Sequence, residues 1–150
     1  MSSPALSTPS RRGEGMHQWP DDRRILSAVL EPFGSTTYSL EPGFTELLAA
    51  GETAPIIHLT RAGGTGETQD GVERVRRIKV EVYAVGESTA EDLAEAISTY
   101  LVGRFHYDPA NEDMGLIDTV VTESVPTPVP YPDDVISLVS ALYRTVCRPL

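Results

Sequence analysis

The sequence predicts an α+β fold: a mainly antiparallel β-sheet of about four strands with two helices packed on one face. Three observations predict it. Ile78, Val80, Val82 and Ala84 alternate with Arg77, Lys79, Glu81 and Tyr83, the period of two expected for a half-buried strand. The stretch "GESTAEDLAEAISTYLVGR" instead places Leu93, Ala94, Ile97, Tyr100 and Leu101 at helical spacing. Finally, the elements follow one another as helix, strand, strand, helix, strand, strand, so that hairpin-like pairs alternate with single amphipathic helices.

A chain of 150 residues fits one domain, and one of this size buries enough surface for a core without staples. Residues 1–19, "MSSPALSTPSRRGEGMHQW", carry Ser, Pro and Gly without periodicity and predict a mobile arm ahead of a domain over 20–150. Met16 stands just before the first patterned segment and offers an alternative translation start.

In "PDDRRILSAVLEPFG", Pro20 and Asp21 suit a helix N-terminus, and Ile25, Leu26, Val29 and Leu30 form one apolar stripe. Pro32 and Gly34 end it. "FTELLAAGETAP" predicts a short helical turn before Pro55, and "IIHLTRA" a β-branched strand. "RAGGTGETQDGVERV" then reads as a long, glycine-rich hairpin loop of about a dozen residues. Ser88 followed by Glu91 predicts a capping box for the second helix, with Gly103 as its stop. "HYDPANEDMG" reads as a turn-rich link and "LIDTVVTESV" as a strand. "PTPVPYPDD", with four prolines in nine residues, is excluded from the centre of a sheet. The closing "DVISLVSALYRTVCRPL" fits either a helical stripe or a strand buried on both faces, its β-branched and aromatic content favouring the strand.

Composition excludes several classes of function. Acids outnumber bases 22 to 12, a formal charge of −10 that opposes binding to phosphate backbones. No run is long and apolar enough to span a membrane or to form a signal peptide, so a soluble, unexported chain is expected. The one cysteine, Cys147, has no internal disulfide partner. The glycine loop lacks the lysine of a P-loop, carries Glu67 where phosphate would sit, and leads into a strand rather than a helix. His17, His58 and His106 lack metal-ligand spacing, no nucleophile elbow is present, and Asp21/Asp22, Glu91/Asp92 and Asp133/Asp134 sit where helix-start or turn acids belong. No catalytic, cofactor or metal residue is assigned. Five of the 12 bases, Arg61, Arg74, Arg76, Arg77 and Lys79, fall within nineteen positions, as the solvated face of a strand or a contact for an acidic partner or neighbouring subunit.

The ordered set "DDRRILSAVLEPF", "PIIHLTRAGG", the Asp70-containing loop leading to "RRIKVEVYAVG", "AEDLAEAISTYLVG", "GLIDTVVTESVPTPVPYPDD" and "ISLVSALYRTVCRP" resembles a known family. It is that of the tail terminator (tail completion) proteins of long-tailed bacteriophages, especially those infecting actinobacteria. The resemblance covers most of 20–150, and the run into "ALYRTVCRP", with Tyr143, Arg144 and Arg148, carries the most of it. It implies a β-sheet backed by helices, a C-terminal strand, and subunits assembled as a hexameric ring in the virion, at the neck, without catalysis or cofactor. Such a ring caps the tail tube, ends tube polymerisation, docks the head through its connector or stopper protein, and lets DNA pass its lumen without specific binding. The implied contacts to a neighbouring subunit or the tube protein are Arg61, Glu67, Asp70, Glu73, Arg74, Arg76, Arg77, Lys79, Arg144 and Arg148. Alternatives are another neck adaptor or stopper, a small ligand-binding domain or enzyme with an unrecognised site, and a host-directed protein mimicking DNA charge.

Overall fold

The structure, a computed structural model, describes residues 19–67 and 73–149, with residues 64–67 as backbone. The elements run α1 (Asp22–Leu30), a 3-10 turn (Glu31–Phe33), β1 (Ser35–Thr37), α2 (Phe44–Ala49), β2 (Ile56–Glu67), β3 (Arg74–Val85), α3 (Glu87–Gly103), a second 3-10 turn (Phe105–Tyr107), α4 (Pro109–Asp113), β4 (Ile117–Val129) and β5 (Ile136–Cys147). The five strands form one sheet in the order β1-β2-β3-β5-β4. The α+β class holds, with corrections to the expected sheet of about four antiparallel strands. A fifth strand, β1, adds to β2 in parallel, while the other pairings are antiparallel. At three residues, Ser-Thr-Thr, β1 is too short to show a period, which is why its sequence gives no strand signal.

The centre of the sheet is the β3–β5 pair, twelve residues in unbroken register from Arg74↔Cys147 to Val85↔Ile136. The ambiguous C-terminal segment is therefore a strand. Because side chains alternate across a strand, register puts Ile78, Val80, Val82 and Ala84 on the same face as Val139, Ala141 and Tyr143. All are buried, together with Ile57 and Leu59 of β2 and Ile117 and Val120 of β4. Onto this face α1 lays Ile25, Leu26, Val29 and Leu30, and α3 lays Ala90, Ala94, Ile97 and Leu101. Each fully buried aliphatic side chain here is worth roughly 1.5–3 kcal/mol of transfer free energy.

The expected two helices on one face are α1 and α3, but α2 and α4 are further helices, and α2 lies on the opposite face. There Leu48 packs with Ile56, Tyr83, Ile136 and Leu138, flanked by Phe44 and Tyr131. Tyr83 takes both flanking rings edge to face, at 5.1 Å from Phe44 and 5.5 Å from Tyr131. This second cluster covers only the end of the sheet where β5 begins.

Three local expectations are also revised. The capping box does not form: α3 starts two residues earlier than Ser88 as N-cap would place it, with Gly86 as N-cap and no side-chain cap bond. The glycine stretch is not a long loop at its start, because β2 continues through it, pairing Gly64 with Arg76, Gly66 with Val75 and Glu67 with Arg74. Register shifts between Arg61 and Gly64 and between Gly64 and Gly66 absorb extra residues, and Gly63 has φ +92°, a bulge conformation that side chains other than glycine's resist. The predicted arm 1–19 lies outside the described residues except for Trp19, which packs against the main core. Pro126 and Pro128 fall inside β4, which is an edge strand and so tolerates residues without an amide proton.

The link before β4 holds a buried amide. Asn111, in the middle of α4, accepts from the Ile117 amide at 2.8 Å and donates to the Ile117 carbonyl at 3.2 Å. Both backbone groups at the start of β4 are thereby satisfied in the interior.

One buried carboxylate ties α1 to the sheet. Asp21 caps the helix by accepting from the Arg24 amide, and Asp22, the next residue, is fully buried. Its Oδ1 accepts from Arg61 Nη2 of β2 at 3.0 Å and lies 3.5 Å from Arg76 Nη1 of β3; its Oδ2 accepts from the Thr145 hydroxyl of β5 at 3.2 Å.

Removing one member of a buried ion pair costs ~3–5 kcal/mol. Arg61 and Arg76 keep some contact with water, so Asp22→Ala is expected to lower stability by about 2–4 kcal/mol, read as a fall in the urea unfolding midpoint. Gly34→Ala tests a close approach: a Cβ there would stand 2.5 Å from the Pro55 carbonyl oxygen, which accepts the Ser35 amide as β1 joins β2. A loss of ~1–3 kcal/mol is expected from the forced shift.

Candidate functional site

The two faces of the sheet divide the residues singled out as contacts. Arg61 and Arg76 point to the helix layer and are engaged by Asp22, with Arg61 also 3.2 Å from Asp21. Arg74 stacks its guanidinium over the Trp19 ring, 4.3 Å from the centroid. Glu73 is half-buried at the entry to β3, Glu67 contributes backbone pairing to Arg74, and Asp70 lies outside the described residues. Arg148, past the end of β5, sets Nε 2.6 Å from Asp118 Oδ2.

Arg77, Lys79 and Arg144 share the other face. The alternation that turns Ile78 and Val80 inward turns Arg77, Lys79 and Glu81 outward, and register brings Arg144 directly opposite Arg77. Like charges directly opposed on a sheet repel. Glu123 of β4 offsets this, with Oε1 2.8 Å from Arg77 Nε and Oε2 3.8 Å from Arg144 Nη1. Beside it Glu81 plays the same part, 2.9 Å from His58 Nδ1 and 3.7 Å from Lys79 Nζ. The other ring nitrogen of His58 is 3.3 Å from the Tyr38 carbonyl, linking the chain after β1 to the centre of the sheet.

Each carboxylate on this face thus serves two nitrogen-bearing side chains. The acidic side chains also lie deeper than the basic ones: those of Glu81 and Glu123 are 14% and 21% exposed, against 39%, 44% and 43% for the side chains of Arg77, Lys79 and Arg144. What meets solvent is a cationic layer over shielded acids, with half-buried Val75, Val121, Leu142 and Val146 between. In a chain of net charge −10, the sign of this patch is opposite to that of the whole. Guanidinium and ammonium donors presented this way suit recognition of carboxylates.

Sequence reasoning found the cations and missed the acids that organise them. Glu81 was legible, since the alternation places it beside Lys79 on the outward face. Glu123 was not, because it reaches the patch through the β4–β5 register, which shifts between Thr122 and Ser124. Asp22 reads in sequence as an ordinary helix-start acid.

Among the described residues, no group of three or more His, Cys, Asp or Glu side chains is placed to hold a metal ion, and no helix is long and apolar enough to cross a membrane. No protein-family model and no curated protein matches the chain.

Two buried acidic protons set an alkaline limit. Burial, then the nearby Asp22 carboxylate, pushes the Cys147 thiol from 9.0 up to about 12. Burial, then Glu81 and Tyr131, pushes the Tyr83 phenol from 10.0 to about 12. In the unfolded chain both ionise at their ordinary values, whereas the folded chain holds both protons longer. Their contribution to stability is therefore complete below about pH 9 and is lost as pH rises towards about 12. The urea midpoint is expected to hold from neutrality to about pH 9 and then fall, with up to ~1.4 kcal/mol per pH unit from the thiol. Cys147→Ala should make that fall shallower. A native thiol that reacts with a disulfide reagent at neutral pH as fast as the unfolded chain would contradict the assignment.

Proposed function

We propose that this protein is a structural subunit of a long-tailed bacteriophage virion, acting as a ring that caps the tail tube. The ring ends tube polymerisation and offers the surface on which the head docks. One observation carries the reading beyond the resemblance of sequence: among the described residues, the sheet is sealed by α1 and α3 on one side, while its other side is left largely uncovered and cationic. An uncovered, charged sheet face is a surface for protein contact, and an assembly subunit needs such surfaces on more than one side.

The strand assignments agree with the reading. The segment carrying most of the resemblance is β5, at the centre of the sheet, so Arg144 is held on a rigid element. The acidic balance of the chain fits a lumen through which DNA slides without adhering, because like charge weakens phosphate contact.

Electron microscopy of tails assembled with and without this protein tests the reading. Without it, tubes of uncontrolled length that fail to join heads are expected, and adding the purified protein should restore capped tails. Tails of unchanged length that still join heads would overturn it. Normal tail length combined with failure at the head side would instead assign the chain to a neck adaptor or stopper.

A further inference from the structure

The uncovered sheet face has its electrostatic complement on the same molecule. Helix α3 carries Glu87, Glu91, Asp92 and Glu95 and has no basic residue between Glu87 and Gly103. Ala90, Ala94, Ile97 and Leu101 face the core, so helical geometry turns Asp92 and Glu95 to solvent on the opposite side, where both are exposed. Acids in a first turn are explained by the helix dipole, but that effect fades beyond it, and Asp92 and Glu95 lie in later turns. Ser88, Ala96 and Thr99, also turned to solvent or partly so, are small and would let another surface approach.

The two surfaces stand on opposite sides of the subunit, because α3 covers one face of the sheet and the cationic layer forms the other. From this arrangement we infer that copies of this chain associate head to tail, the Asp92–Glu95 surface of α3 seated on the Arg77–Lys79–Arg144 sheet face of the next copy. The occupant is a second copy because the chain itself supplies the matching charge. It also supplies the aliphatic floor of Val75, Val121, Leu142 and Val146, half-buried and, among the described residues, without a helix above it. A contact between two different patches is heterologous, so it closes into a ring where the rotation permits and extends as a filament where it does not. The inference rests on the reading of this chain as a ring of copies, and names the faces that would join.

The test is a pair of charge inversions. Arg77→Glu with Glu123→Arg and Arg144→Glu reverses the sheet face while keeping two charges around one of opposite sign. Asp92→Lys with Glu95→Lys reverses the helix face at exposed positions. In sedimentation at low ionic strength the wild type should self-associate and dissociate as salt is raised. Each variant alone should remain monomeric, since its two faces then carry like charge. An equimolar mixture should associate again, alternating the two variants.

Circular dichroism establishes that both variants fold. Should the triple inversion fail to fold, Arg144→Gln combined with Lys79→Gln serves as the milder arm, and it should weaken self-association at least tenfold relative to wild type. Variants that assemble like the wild type, a mixture that stays monomeric, or a wild type that is monomeric at all concentrations and salt levels tested would each overturn the interface. The first of these leaves the tail-capping reading in place with its interface elsewhere. Failure of tail capping is read separately, by microscopy of tails.

Discussion

The Asp22 carboxylate is the point on which the arrangement of helix and sheet depends. It is fully buried, carries a charge, and sits at the start of α1 over three strands at once. A charge in that position is tolerated only if its partners are in place, so Arg61, Arg76 and Thr145 constrain where α1 can begin. With that end located, the stripe of Ile25, Leu26, Val29 and Leu30 can descend onto only one part of the sheet. Apolar burial supplies most of the free energy, but it is non-directional; the carboxylate supplies position.

The same constraint decides what the outer face can be. Arg76 is committed inward to Asp22, and strand geometry then sends Arg77 the other way. Two neighbouring arginines of one basic run therefore have unrelated roles, one holding the fold together and one meeting solvent. Arg77 meets Arg144 directly across the central strand pair, a repulsive arrangement that Glu123 makes tolerable from the adjacent strand. Exposed ion pairs of this kind contribute only ~0–1 kcal/mol to folding. Their value lies in holding cations at fixed places on a rigid surface, a property useful for association and for its specificity.

The sheet is finished differently at its two edges. On one side β1 is a three-residue parallel strand covering only Ile56–His58, and the β2 edge that continues past it is broken by the bulge at Gly63. On the other, β4 is long but contains Pro126 and Pro128, and its pairing with β5 is interrupted by register shifts. Both devices discourage edge-to-edge polymerisation, which leaves the faces as the more favourable surfaces for contact.

Most of the regular elements were legible in the sequence because their signals are local. The alternation in β3, the stripe in α1 and the β-branched content of β5 each follow from side chains within one segment. The proline-rich run after Ser124 was correctly barred from the centre of the sheet, although part of it still pairs at the edge. What the sequence by itself determined was therefore the α+β class, the core-facing residues of its main strands and helices, and the acidic balance that disfavours DNA binding. Only the tertiary structure decided that β1 joins in parallel, that α2 covers one end of the far face, that Asp22 is a buried anchor, and that Arg77, Lys79 and Arg144 share a patch with Glu81 and Glu123. The physical reason is range. Periodicity reports which way a side chain points within its own element, whereas hydrogen-bond partners such as Asp22 and Thr145, 123 positions apart in the chain, meet only when register and packing bring their elements together.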